Sequence, residues 1–168
     1  MTRIRKILWA AGGLVVVAAA VGTSLLMAGH HTQMLSAGSM TSKASQVMPF
    51  DLVRTTHTFL KADSGGVEKV VVKDPGDTRN QTLIRSHLGK EATLFRKGNY
   101  SDPTMIHGMD MPGVKELAAG ADRVTVDYAE VSGGAQITYS SEDPALVSAI
   151  HAWFDRQVAD HGMPGMGG

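Results

Sequence analysis

Hydrophobic and polar positions follow three different patterns along this chain, and each predicts a different element. From Ile7 to Gly29 there is no alternation: Ile, Leu, Val, Ala, Gly and Met run on with one Trp, one Thr and one Ser. A bilayer core needs about 20 apolar residues in a helix, so the run is long enough to span. Arg3, Arg5 and Lys6 precede it, which holds that end in the cytoplasm and sends the rest of the chain outward. A cleavable signal has an apolar region of roughly 7–15 residues, and the nearest small-x-small sites here, at residues 36–39, lie well past the run. Residues 1–29 are therefore read as a retained anchor in the inner, cytoplasmic membrane, with the rest on the periplasmic or extracytoplasmic side. A cleaved signal, giving a secreted protein, is the alternative.

Residues 30–47 are rich in Ser, Thr and Gly with no apolar period, the composition of a flexible linker. Periodicity returns after it. Val53–Lys61 and Val67–Lys73 are β-branched runs flanking Asp63-Ser64-Gly65-Gly66, which predicts a β-hairpin. Asp77 is placed to cap a helix from Thr78 to Lys97, whose Leu83, Ile84, Leu88 and Phe95 recur at helical spacing before Gly98-Asn99. Tyr100–Gly113 reads as a loop and Val114–Ala119 as a short helix closed by Gly120. Arg123–Val131 and Ala135–Ser140 alternate around Ser132-Gly133-Gly134 as a second hairpin, with Val124, Val126, Tyr128, Ile137 and Tyr139 inward. Asp143-Pro144 opens a helix running to about His161, with Leu146, Val147, Ile150, Phe154 and Val158 on one face. The expected fold is α+β over residues 48–162. It is ordered ββα, short α, ββα, with a four-stranded antiparallel sheet and two long amphipathic helices on one face. A Gly/Met tail, residues 163–168, follows.

Composition narrows the chemistry. Sixteen Lys and Arg balance sixteen Asp and Glu. Three of those bases precede residue 7 and every acid follows residue 29, so the exported part is slightly acidic and no nucleic-acid partner is expected. Cysteine is absent, which excludes disulfides, thiolate metal sites and cysteine nucleophiles. No G-x-S-x-G elbow, phosphate-binding glycine loop or H-E-x-x-H pair occurs, so no enzyme is expected.

Ten methionines and seven histidines remain. His107-Gly108-Met109-Asp110-Met111-Pro112-Gly113 is echoed by His161-Gly162-Met163-Pro164-Gly165-Met166-Gly167, and His30, His31, Met34 and Met40 form a third cluster in the linker. Thioether and imidazole together suit copper better than magnesium or calcium. In an extended loop, His107, Met109 and Met111 would point the same way and converge on one ion. His57, His87, His151 and His161 fall on the apolar faces of their predicted elements. They are candidates to complete the metal site, with Met163 and Met166 as a mobile collector and Glu91 or Asp155 as a carboxylate behind a ligating imidazole. Two of the same histidines, or a His/Met pair, would equally serve as axial ligands to a b-type haem. Packing histidines in a metal-free extracytoplasmic interaction module are the remaining reading.

A further set of positions runs through the domain: Arg54-Thr55-Thr56-His57-Thr58-Phe59, Leu83-Ile84-Arg85-Ser86-His87-Leu88, Ser101-Asp102-Pro103, Ile106-His107-Gly108, Asp110-Met111-Pro112-Gly113, His151-Ala152-Trp153-Phe154-Asp155 and Asp160-His161-Gly162. In these the run from Asp51 to Gly162 resembles a group of small exported bacterial proteins often labelled aspartate carbamoyltransferase. The chain has neither the two α/β domains nor the Ser-Thr-Arg-Thr phosphate loop of a true transcarbamoylase. The resemblance thus implies a shared fold unit and no transferase chemistry. The expectation is an exported metal-binding protein, copper foremost, in metal homeostasis or delivery.

Overall fold

The computed structural model describes residues 43–161, and among these described residues the chain forms five helices and one four-stranded antiparallel sheet. The strands are β1 (Thr55–Ala62), β2 (Gly65–Val72), β3 (Thr125–Val131) and β4 (Gly134–Ser140). The helices are α1 (residues 43–47), α2 (Thr78–Phe95), α3 (Ser101–His107), α4 (Val114–Ala119) and α5 (Pro144–His161). The α+β class, the four antiparallel strands and both long helices are those that periodicity predicts.

Two segments differ from expectation. Residues 43–47, assigned by composition to the linker, form a helical turn with Ala44 buried, and the Met48 N–H donates to the Ala44 carbonyl at 2.8 Å. Ser101–His107, read as loop, is helix α3. Pro103 lies within its first turn, where a missing N–H costs nothing because that position has no intrahelical acceptor. Asn99 Oδ1 accepts from the Ser101 N–H at 3.0 Å, and Lys90 Nζ holds Asp102 at 2.9 Å.

The strand order is β1-β2-β4-β3. Each hairpin is local, and the two join along β2 and β4, where Val70 faces Ala135 and Glu68 faces Ile137. Residues directly opposite in a ladder share a face. His57, Phe59, Glu68, Val70, Ala135, Ile137, Tyr139, Val126 and Tyr128 therefore stand on the side that the helices cover. Val70, Ala135, Ile137 and Tyr139 are fully buried there.

The helices cover that face by exchange. Helix α2 follows the first hairpin but lies mainly over the second, and α5 follows the second but lies over the first. Polar tethers repeat the exchange. Arg85 Nε donates to the Gly134 carbonyl at 3.2 Å and Arg96 Nε to the Val126 carbonyl at 2.7 Å, fixing α2 to β3 and β4. His151 Nε2 lies 2.8 Å from the Gly65 carbonyl and 3.0 Å from that of Ala62, and Lys61 pairs with Asp155, fixing α5 to β1 and β2. Since a carbonyl only accepts, His151 carries its proton on Nε2. The buried stripe of α5 is Leu146, Ala149, Ile150, Trp153, Phe154 and Gln157, turned slightly from the one drawn through Val147 and Val158.

Gly113 sits at the start of α4 with φ +80°, and a Cβ there would meet the Ala149 carbonyl oxygen at 2.1 Å. Gly108 also has positive φ, +96°, but nothing lies within 4 Å of its missing Cβ. The pair separates conformational strain from collision. In urea denaturation, Gly108→Ala is expected to cost about 1 kcal/mol and Gly113→Ala at least about 3 kcal/mol.

Candidate functional site

Helix α2 sets His87 and Glu91 one turn apart, which puts both on its inner face with Leu88 and Phe95. Facing them across the sheet, β1 brings His57 and Phe59 and β2 brings Glu68, with Phe59 directly opposite Glu68 in the ladder. Helix α3 adds Asp102 and His107, and α5 adds Trp153 and Gln157. These side chains line one partly open cavity of about 40 Å³, to which Val47, the last residue of α1, and Met48 after it also contribute. The Phe50 ring lies 5.7 Å from both the His57 and the His87 ring.

Polar groups in so small a space settle by sharing protons. Burial pushes Glu91 up to about 8, helped by a hydrogen bond to Asp102, so Glu91 is the partner that keeps the proton. Burial works on Asp102 in the same direction, but hydrogen bonds from Lys90 and Glu91 outweigh it and hold Asp102 low and ionised. Burial also raises Glu68 to about 7, although Tyr139 Oη donates to its Oε2 at 3.1 Å. His87 moves the opposite way, down to about 4, chiefly by burial with Lys90 adding and Asp102 opposing, and is a neutral imidazole. His107 is lowered by burial against the opposing pull of Asp160, whose Oδ2 accepts from His107 Nδ1 at 2.7 Å. Arg156 Nε donates to the same oxygen at 2.7 Å.

Two groups are left over. Glu91 Oε1 and Trp153 Nε1 are buried and have no hydrogen-bond partner among the described residues. Burying either without a partner costs roughly 1–3 kcal/mol.

The sequence-predicted ligands divide three ways. His57, His87 and His107 do gather at one cavity, but among the described residues no three His, Asp or Glu side chains stand close enough to hold a metal ion. The His107, Met109 and Met111 convergence is corrected. His107 ends a helix with its side chain 1 % exposed, Met109 is 78 % exposed, and Met111 is buried in the core. The alternation of a strand does not apply where α3 runs into turns with positive φ at Gly108 and Gly113. His151 serves the first hairpin and does not reach the cavity lining. His161 is the last residue of α5, and its side chain, with Met163, Met166 and the linker cluster, lies outside the described residues.

Sequence reasoning missed Glu68, Trp153 and Met105. Glu68 carried a signal, since alternation through Val67–Lys73 puts it on the face of Val70 and Val72. Met105 is 58 % exposed. With Met109, Tyr100 and Val114 it lines a shallow surface groove of about 610 Å³.

The two raised carboxyls make stability depend on pH with a definite sign. In the unfolded chain each titrates near 4.5, so between that pH and about 7 for Glu68 or 8 for Glu91 the folded state binds more protons. Stability then falls as pH rises through the window. His87 and His107 act in the opposite sense while unfolded imidazoles are charged, an effect that fades about one pH unit above 6.5. Above 6.5 the carboxyls outweigh the histidines, and unfolding free energy is expected to fall on the order of 1–2 kcal/mol between pH 6.5 and 8. Urea midpoints across that range check this, and Glu91→Gln should flatten most of the slope. No family model, curated protein or solved structure matches the chain, so what the site does has to be read from its own residues.

Proposed function

We propose that the chain is an exported, membrane-tethered copper-binding protein whose ligands are methionine thioethers at the surface around the end of α3. One observation carries the reading. The 2.7 Å bond between His107 and Asp160 joins the first residue of one His-Gly-Met sequence to the residue just before the other. The strongest echo in the sequence thus starts from two neighbouring points of the fold.

Met105, on α3, and Met109, two residues past its end at His107, lie on one groove, both largely exposed. Gly162 and Met163 continue the chain from His161, and a few residues at about 3.5 Å each reach across such a junction. Thioether sulfur is soft and selects Cu(I), so Met105, Met109, Met163 and Met166 make a donor set for that ion. His107 has another part here: buried and bonded to Asp160, it holds the two segments together. Among the described residues no helix is long and apolar enough to cross a membrane. The tether is proposed from the apolar run after Arg3, Arg5 and Lys6.

Competition for Cu(I) against a chromogenic chelator, with the full chain in detergent micelles, tests the reading. We expect one Cu(I) per chain with Kd below about 1 μM. Met105→Leu with Met109→Leu, or removal of residues 163–168, should weaken it at least tenfold, whereas His87→Ala should leave it unchanged. A chelator that keeps all its copper against the wild-type chain overturns it.

A further inference from the structure

The placement of Met105 and Met109 gives their thioethers a second chemistry that needs no metal. We propose that the two are a paired, reversible oxidation site, where a peroxide converts both thioethers to sulfoxides while the fold stays intact. Residue type does not distinguish the methionines of Met109-Asp110-Met111, but the fold does: Met109 is 78 % exposed and Met111 4 %. Gly108, with φ +96°, ends α3, and the next two side chains stand in solvent, with the Asp110 carboxylate 3.5 Å from Lys115 Nζ. The chain turns back at Met111, whose carbonyl accepts from the Val114 N–H at 3.3 Å and whose side chain joins the core. Met105 is exposed on α3 and lines the same groove as Met109. Met48, the remaining methionine among the described residues, is half-buried against the core.

The step is a two-electron transfer of one oxygen atom. The sulfur lone pair attacks a peroxide oxygen and the O–O bond breaks. The proton on the transferred oxygen passes to the departing hydroxide, which leaves as water. Sulfur is oxidised to the sulfoxide and the peroxide is reduced. The oxidant has to reach the sulfur, so the rate follows exposure. The product is polar, so the cost to the fold follows burial. A sulfoxide at Met105 or Met109 stays solvated, whereas one at Met111 would stand among apolar core residues. Asn99 and Ser101, on the same groove, carry an amide N–H and a hydroxyl, donors that suit a sulfoxide oxygen far better than a thioether. Because both methionines line one groove, the two additions turn a single surface from soft and apolar to polar and hydrogen-bond accepting. Sulfoxide reductases undo that chemistry.

Dilute hydrogen peroxide added to the full chain in detergent micelles tests this, with oxygen uptake read residue by residue by mass spectrometry. One tryptic peptide, from Gly98 to Lys115, holds Met105, Met109 and Met111 together, so the buried methionine is the internal control. Met105 and Met109 are expected to take up oxygen at least about tenfold faster than Met111, which reacts only through opening of the fold. In urea the three rates should converge. Once Met105 and Met109 are converted, the urea midpoint should match that of the untreated chain, and the two epimer-specific sulfoxide reductases should return both residues to methionine. In the variant carrying Met105→Leu and Met109→Leu, the same peptide should take up no oxygen over that time. The proposal is overturned if Met111 in the folded chain oxidises as fast as the other two. It is equally overturned if conversion of Met105 and Met109 lowers the urea midpoint, or if the reductases leave their sulfoxides in place. Copper is absent throughout, so the outcome is separate from that of the Cu(I) competition.

Discussion

The need to cover one apolar sheet face governs this fold, and the chain meets it by exchange. Each half is a hairpin followed by a long helix, and each helix covers the hairpin of the other half. Neither half then has a core of its own, because its strands bury their inner residues only under a helix from elsewhere in the chain. The β2–β4 seam brings together residues as far apart as Gly65 and Ser140, and the rest of the packing presupposes it. The tethers obey the same logic. Arg85 and Arg96 reach carbonyls of the second hairpin, and His151 reaches carbonyls of the first.

The cavity lies where that covered face stops being apolar. Tyr139 is wholly enclosed with half-buried Glu68 beside it, and burial with the neighbouring carboxyl raises Tyr139 well above the ordinary phenol range. The cluster keeps its net charge low by arranging protons. Glu91 retains its own, Glu68 is raised into the neutral range, His87 sheds its own, and Asp102 stays ionised because Lys90 reaches it from the surface. A buried charge is costly unless paired, and here ionised Asp102 has an ammonium beside it.

Local patterns read well in this sequence wherever one face of an element decides its placement. The alternation of Val126 and Tyr128 against Thr125 and Asp127, and the helical spacing of Ile84 and Leu88, carry the hairpins and helices without help. Reading failed where backbone chemistry overrode spacing. Ser101–His107 reads as loop yet forms α3, and Pro103 in its first turn does no harm. Met109 and Met111 were aligned by the spacing of a strand that the positive-φ glycines prevent. The gathering of His57, His87 and His107 was beyond reach for a different reason. Each sits on the inner stripe of its own element, and only the exchange of helices decides that three stripes meet at one point.

The ring of aromatics behind the cavity has an optical consequence. Trp153 stands edge-on to Tyr139, at 5.2 Å and 90°, and to Tyr100, at 5.4 Å and 84°. Phe95 lies stacked on Tyr100 at 4.8 Å. An indole held rigidly in so asymmetric an array produces circular dichroism in the near ultraviolet, and that signal disappears when packing loosens even if helices and strands persist. Closure of the core around Trp153 therefore has its own spectral band, separate from the backbone signal of the sheet and helices.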